Sequence, residues 1–128
     1  LIVDSSAVLA ILLHENDGES LLAAIAGAGV VGIGAPTAVE TGLVLTARLQ
    51  RDATGVLLRF FEETGIQIIP FTTIHWQRAV EAYARFGKGR HPAALNFGDC
   101  MTYATASLAR QPLLCRGDDF RKTDLELV

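Results

Sequence analysis

Four short apolar runs, at residues 1–3, 30–33, 66–71 and 113–115, fix what this chain can become. Stretches with helical spacing lie between them, so the coarse order reads strand, helix, helix, strand, helix, helix, strand, helix, helix, strand. A hairpin needs only a tight turn, whereas parallel neighbours need crossover connections. Strands this widely separated by helices therefore predict a parallel sheet covered on both faces.

The helical segments carry their own punctuation. Residues 7–13 read as a first helix, and Asn16 and Asp17 as the cap of a second that carries Leu21, Leu22 and Ile25. Pro36 and Thr37 open a third, whose apolar face is expected at Val39, Leu43, Val44 and Ala47. A fourth spans 53–64 and stops at Gly65. Residues 74–86 repeat helically through Ala79, Val80 and Tyr83, and after the loop GKGRHPAALNFG a last helix takes 100–109. A weak strand is possible at 125–128.

With 128 residues the chain suits one domain, 1–128, with a single core. Half of the residues are hydrophobic and a fifth are charged, which excludes a disordered chain. The longest unbroken apolar run, 7–13, is far below the roughly 18 residues of a membrane span, and no basic segment precedes it as in a signal peptide. No membrane association and a cytoplasmic location are therefore expected. Cys100 and Cys115 form no CxxC and read as two buried thiols. The net charge of −3 argues against a protein that coats nucleic acid without specificity, while leaving room for a local basic surface.

Two nucleotide-binding patterns fail on context. Gly27-Ala28-Gly29-Val30-Val31-Gly32 spells GxGxxG, yet it ends a helix and enters a strand, where the dinucleotide fingerprint does the reverse. Gly87-Lys88-Gly89 has Gly where a phosphate loop needs Ser or Thr. His14, His75 and His91 share no metal-ligand spacing, so packing or surface roles suffice for them.

The acids say more. Asp4 ends the first strand, and ligands of parallel sheets bind at the carboxyl ends of strands. Glu40 stands three residues after Thr37, the spacing of a capping box, and Asp99 follows Asn96 by the same interval. Asp118 and Asp119 come just after the last strand, where a solvated turn would explain them. Each has an ordinary explanation alone, but together they can fall at one rim. Helix N-termini would favour ionised Glu40 and Asp99 against their mutual repulsion. An oxygen-only cluster without His or Cys suits magnesium or manganese over zinc. Ser6, two residues past Asp4, either supports that site or contacts a phosphate, or it simply caps the first helix. The basic stretch 85–91, with Lys88, Arg90 and His91, lies just before Asp99 and suits a phosphodiester backbone, although a solvated loop would look the same.

IVDSSA at the start, ETGLVL, YARFGKGRHPAALNFGDC and LLCRGDDFRKTDL together resemble the VapC-type toxins, ribonucleases of the PIN-domain superfamily. The similarity covers essentially the whole chain, and its most specific part is GKGRHPAALNFGDC. It implies a three-layer α/β/α sandwich with a central parallel sheet, RNA cleavage dependent on Mg2+ or Mn2+, and inhibition by a cognate antitoxin protein. Asp4, Glu40 and Asp99 match the family's metal-binding acids. The fourth acid falls on Asp118 or Asp119, with Asp118 favoured, and Ser6 matches the small hydroxyl residue of the D-x-S opening. Such proteins usually pair as homodimers, for which Trp76 with Phe60 and Phe61 offers apolar surface, unless these residues are core. The expected chemistry is hydrolysis by divalent-ion-activated water, leaving 5′-phosphate and 3′-hydroxyl ends. An aspartyl-phosphate phosphatase is disfavoured because position 6 is Ser rather than a second Asp. A catalytically inactive domain that binds RNA or a partner is the alternative.

Overall fold

Strand β1, Ile2–Val3, sends its two side chains to opposite faces of a sheet, and that alternation divides the interior in two. Val3 enters one apolar cluster with Val8, Ile25, Ile33, Leu45 and Phe60. Ile2 enters the other with Ala82, Phe86, Leu95, Tyr103 and Phe120. The computed structural model describes residues 1–128. Its remaining strands are β2, Gly32–Gly34, β3, Gln67–Ile69, and β4, Leu113–Leu114. They form one parallel sheet in the order β3-β2-β1-β4, with Ile2 opposite both Gly32 and Leu113. The helices are α1, Ser5–Leu12, α2, Gly18–Gly27, α3, Ala35–Leu49, α4, Thr54–Thr64, α5, Thr73–Phe86, and α6, Phe97–Ala109. Residues of α1 to α4 fill the first cluster and those of α5 and α6 the second, which makes the expected α/β/α layering.

Apart from the weak strand at 125–128, the expected strands and helices are present, with boundaries moved by a few residues. The expected final strand shrinks to a single bridge between Leu113 and Leu127. Asp17 precedes α2 without a side-chain capping bond, because its carboxylate is drawn to Arg116 Nε at 3.0 Å.

The phase of α3 differs from expectation. Val39, Leu43 and Val44 point outward, while Thr37, Thr41 and Leu45 are buried. Both threonines find partners inside: Thr41 Oγ1 donates to the Thr37 carbonyl at 2.7 Å, and Thr37 Oγ1 lies 3.1 Å from Thr102 Oγ1. A hydroxyl so satisfied is tolerated in the interior, so apolar periodicity alone misplaces the buried face. Helix α5 shows the same offset, with Ala79, Ala82 and Phe86 inward and Val80 and Tyr83 exposed. Of the apolar trio Phe60, Phe61 and Trp76, the two phenylalanines are core and only Trp76 is exposed.

Candidate active site

Asp4 leaves β1 and caps α1, with Oδ2 accepting from the Ser6 backbone N–H at 3.1 Å. Ser6 therefore does not cap the helix. Its hydroxyl donates to the same Oδ2 at 2.6 Å and accepts the Arg116 N–H at 2.9 Å, tying Asp4 to the chain leaving β4. On the other oxygen, Oδ1, Asp4 accepts from Thr102 Oγ1 at 2.8 Å. This carboxylate is 6% exposed, so its hydrogen bonds offset much of the cost of burying it.

Glu40 does not form the expected capping box. Helix α3 starts at Ala35 with Gly34 before it and no side-chain cap, so Glu40 stands beyond the first turn, where the helix dipole gives it little. Its Oε1 instead accepts from Ser5 Oγ at 2.5 Å. Its other oxygen lies against Gly98 so closely that any side chain there would collide with it. Glu40 thus reaches the N-terminus of α6, one residue from Asp99.

Asp99 does form the expected reciprocal cap. Asn96 N–H donates to its Oδ2 at 3.0 Å, and its own N–H donates to Asn96 Oδ1 at 2.9 Å. Burial nevertheless pushes its carboxyl up to about 6; the Asn96 N–H opposes the rise, and the charges of Asp4, Asp119 and Glu40 add to it. The N-terminal position does not keep this acid at its ordinary value, because desolvation and like charge outweigh the amide. Both tandem acids are exposed, and Asp118 pairs with Arg121 Nε at 3.1 Å. Asp119 opens a short 3-10 turn, Asp119–Lys122, and is the one whose charge is felt at Asp99.

Three links therefore draw the acids together: Ser5 to Glu40, Glu40 over Gly98, and Thr102 to Asp4. Ser5, Thr37 and Thr102 do not stand out in the sequence. The signal available for Thr102 is its place one helical turn after Asp99. No group of three or more His, Cys, Asp or Glu side chains is arranged to hold a metal ion as these carboxylates stand. The donor set still suits an oxygen-preferring divalent cation, because each carboxylate offers about four lone-pair positions and these hydrogen bonds fill only some of them.

Next to the acids, Gly87 and Leu95 pair and close the basic loop that leads into α6. Arg85 is engaged, 3.4 Å from Asp124 and 4.7 Å over the Phe86 ring. His91 is half-buried, with Nδ1 accepting the Ala93 N–H at 3.0 Å and its ring edge-on to Phe86. Lys88 and Arg90 are exposed, Arg90 resting 5.6 Å from the Tyr83 ring. Both cysteines are free, and burial raises each thiol to about 11, so neither is a ready nucleophile. No helix is long and apolar enough to cross a membrane.

Residues 1–126 match the family model described as PIN domain. The chain is 50% identical over 127 residues to Ribonuclease VapC36 of Mycobacterium tuberculosis, covering 98% of this chain and 91% of the relative. It is 36% identical over 128 residues to Ribonuclease VapC of Mycolicibacterium smegmatis, covering 100% of this chain and 99% of that one. In fold it is similar to Mycobacterium tuberculosis VapC20, described as a sarcin-ricin loop cleaving toxin. That match has a TM-score of 0.79 at 17% identity and covers 99% of this chain and 97% of that one. It is also similar to a chain in a toxin-antitoxin complex from Klebsiella pneumoniae, with a TM-score of 0.74 at 19% identity, covering 99% and 95%.

Proposed function

Because the chain belongs to the PIN domain family, and within it to the VapC ribonucleases, we propose that it is an RNA-hydrolysing toxin whose chemistry is centred on Asp4, Glu40 and Asp99. The observation that carries this reading is the convergence of those three acids, far apart in sequence, through Ser5, Thr102 and Gly98. Asp119 is the fourth member in preference to Asp118, since Asp118 is turned outward to Arg121 while the Asp119 charge reaches Asp99.

Asp4, Glu40, Asp99 and Asp119 would hold one or two Mg2+ or Mn2+ ions. Bound there, such an ion supplies Lewis-acid stabilisation of phosphoryl charge and lowers the pKa of the attacking water. The residues prepare for this in distinct ways. Ser6 and Thr102 hold Asp4 from both sides, and Ser5 orients Glu40. With its carboxyl raised to about 6, Asp99 is largely ionised at neutral pH and takes up a proton as the pH falls through 6, so cation uptake would weaken on acidification. Lys88 and Arg90 hold phosphates flanking the scissile one, and His91 stiffens the loop that carries them. His75 Nδ1 is taken up in the capping of α5, so neither it nor His91 is poised as a general base for a 2′-hydroxyl mechanism.

A cognate antitoxin and a cytoplasmic setting belong to the same proposal. The exposed face of Ile74, Trp76, Val80, Tyr83 and Phe97 is offered for homodimer pairing, and it reaches within two residues of Asp99. The deciding experiment incubates purified protein with RNA in Mg2+, in Mn2+ and in excess EDTA, and maps the fragment ends. Cleavage to 5′-phosphate ends that stops in EDTA is expected. Undiminished cleavage in EDTA would defeat the metal reading, and RNA binding without cleavage in Mn2+ would favour an inactive binding domain.

A further inference from the structure

We infer that a buried hydroxyl chain, Thr37 to Thr102 to Asp4, is a positioning device that presents one chosen oxygen of Asp4 to the cation; the inference rests on the reading of the acid cluster given above. Thr102 is 1% exposed and Thr37 3%, so water does not compete for either hydroxyl. A hydroxyl has one hydrogen to give. Thr102 gives its hydrogen to Asp4 Oδ1 at 2.8 Å, so in the 3.1 Å contact with Thr37 it must be the acceptor and Thr37 the donor. Thr41 does not interrupt this chain, since it donates to the Thr37 carbonyl rather than to its hydroxyl.

The consequence follows from counting lone pairs. Asp4 accepts three hydrogen bonds, two on Oδ2 from Ser6 and one on Oδ1 from Thr102. Of the roughly four lone-pair positions of a carboxylate, that leaves one, and it lies on Oδ1. Asp4 is therefore built to bind through a single oxygen, and Thr102 fixes its direction. Thr102, its hydroxyl held between Asp4 and Thr37, is a positioning residue and not a ligand in this arrangement. It acts on Asp4 from the same helix that carries Asp99, one turn further along, so the two acids are set relative to each other by α6.

The test measures Mn2+ binding to the RNA-free protein by calorimetric titration for wild type, Thr102→Val, Thr102→Ser and Thr37→Val, with each melting temperature recorded free of cation. Removing the hydroxyl in Thr102→Val is expected to raise the Mn2+ Kd about tenfold, as for other groups that orient a ligand. Thr102→Ser keeps the donor and should bind as wild type. Thr37→Val loses only the outer donor and should fall between, at about threefold. Wild-type affinity in Thr102→Val, or in Thr37→Val should the former not fold, overturns the inference, as does a Thr102→Ser no better than Thr102→Val. A wild-type protein that takes up no Mn2+ overturns the site reading together with it.

Discussion

Helices α3 and α4 are neighbours in the chain that bury different mixtures of surface. Helix α4 buries Leu57, Phe60 and Phe61 and exposes Arg59, Glu62 and Glu63, as an amphipathic helix should. Helix α3 buries two threonines beside a single leucine, Leu45, and turns Val39 and Leu43 to solvent. One holds the layer in place by excluding water. The other gives up that gain so that Thr37 and Glu40 can reach across to α6. Substitutions of the buried phenylalanines of α4 should therefore be read in stability, and those of Thr37 and Glu40 on α3 in activity.

The largest effect expected is on the α4 side. Phe60→Ala should cost about 3–5 kcal/mol in urea unfolding, and a loss below about 1 kcal/mol would mean that the layer is not held there. Glu40→Gln keeps the shape of the side chain and the Ser5 contact but loses the charge. RNA cleavage should fall by about a hundredfold or more, with an unchanged melting temperature, and a stability loss rivalling that of Phe60→Ala would erase the contrast. Asp99 links stability to activity. Its carboxyl is at about 6 in the fold against an ordinary value of 3.8, so between those values the folded chain holds a proton that the unfolded chain has lost. Cation-free stability should therefore fall as pH rises through that window and level off above it. Asp99→Asn should remove the fall, stabilising the protein above pH 6 by on the order of 1 kcal/mol, discounted because the group is only half-buried. Parallel thermal melts at pH 3.5 and pH 7 in EDTA check this, and a variant no more stable at pH 7 would contradict it. The smallest effect belongs to the outward apolar face of α3. Leu43→Ser should change stability by less than about 0.5 kcal/mol, and a larger loss would show that this face is packed in solution.

Much of this was legible in the residue order. The crossover spacing predicts the parallel sheet, Asp4 marks the end of β1, and the Asn96 to Asp99 interval predicts the cap that α6 forms. Glu40 was harder, because T-x-x-E is a local pattern and its real partners, Ser5 and Gly98, lie far away in sequence. The buried face of α3 was hidden for a related reason: Thr37 is acceptable inside only because Thr102 meets it, and 65 residues separate the pair. In the tandem of Asp118 and Asp119, spacing gives both the same standing, and what separates them is the Arg121 partner of Asp118 and the effect of the Asp119 charge on Asp99.

The pairing of the first strand with the last carries a consequence for timing. β1 is made more than a hundred residues before β4 but meets it only after Leu113 and Leu114 exist, and Ser6 waits for Arg116. A chain still growing on the ribosome therefore cannot assemble its acid site before residues 113–116 have been made, and whatever damage the folded enzyme does is withheld until then.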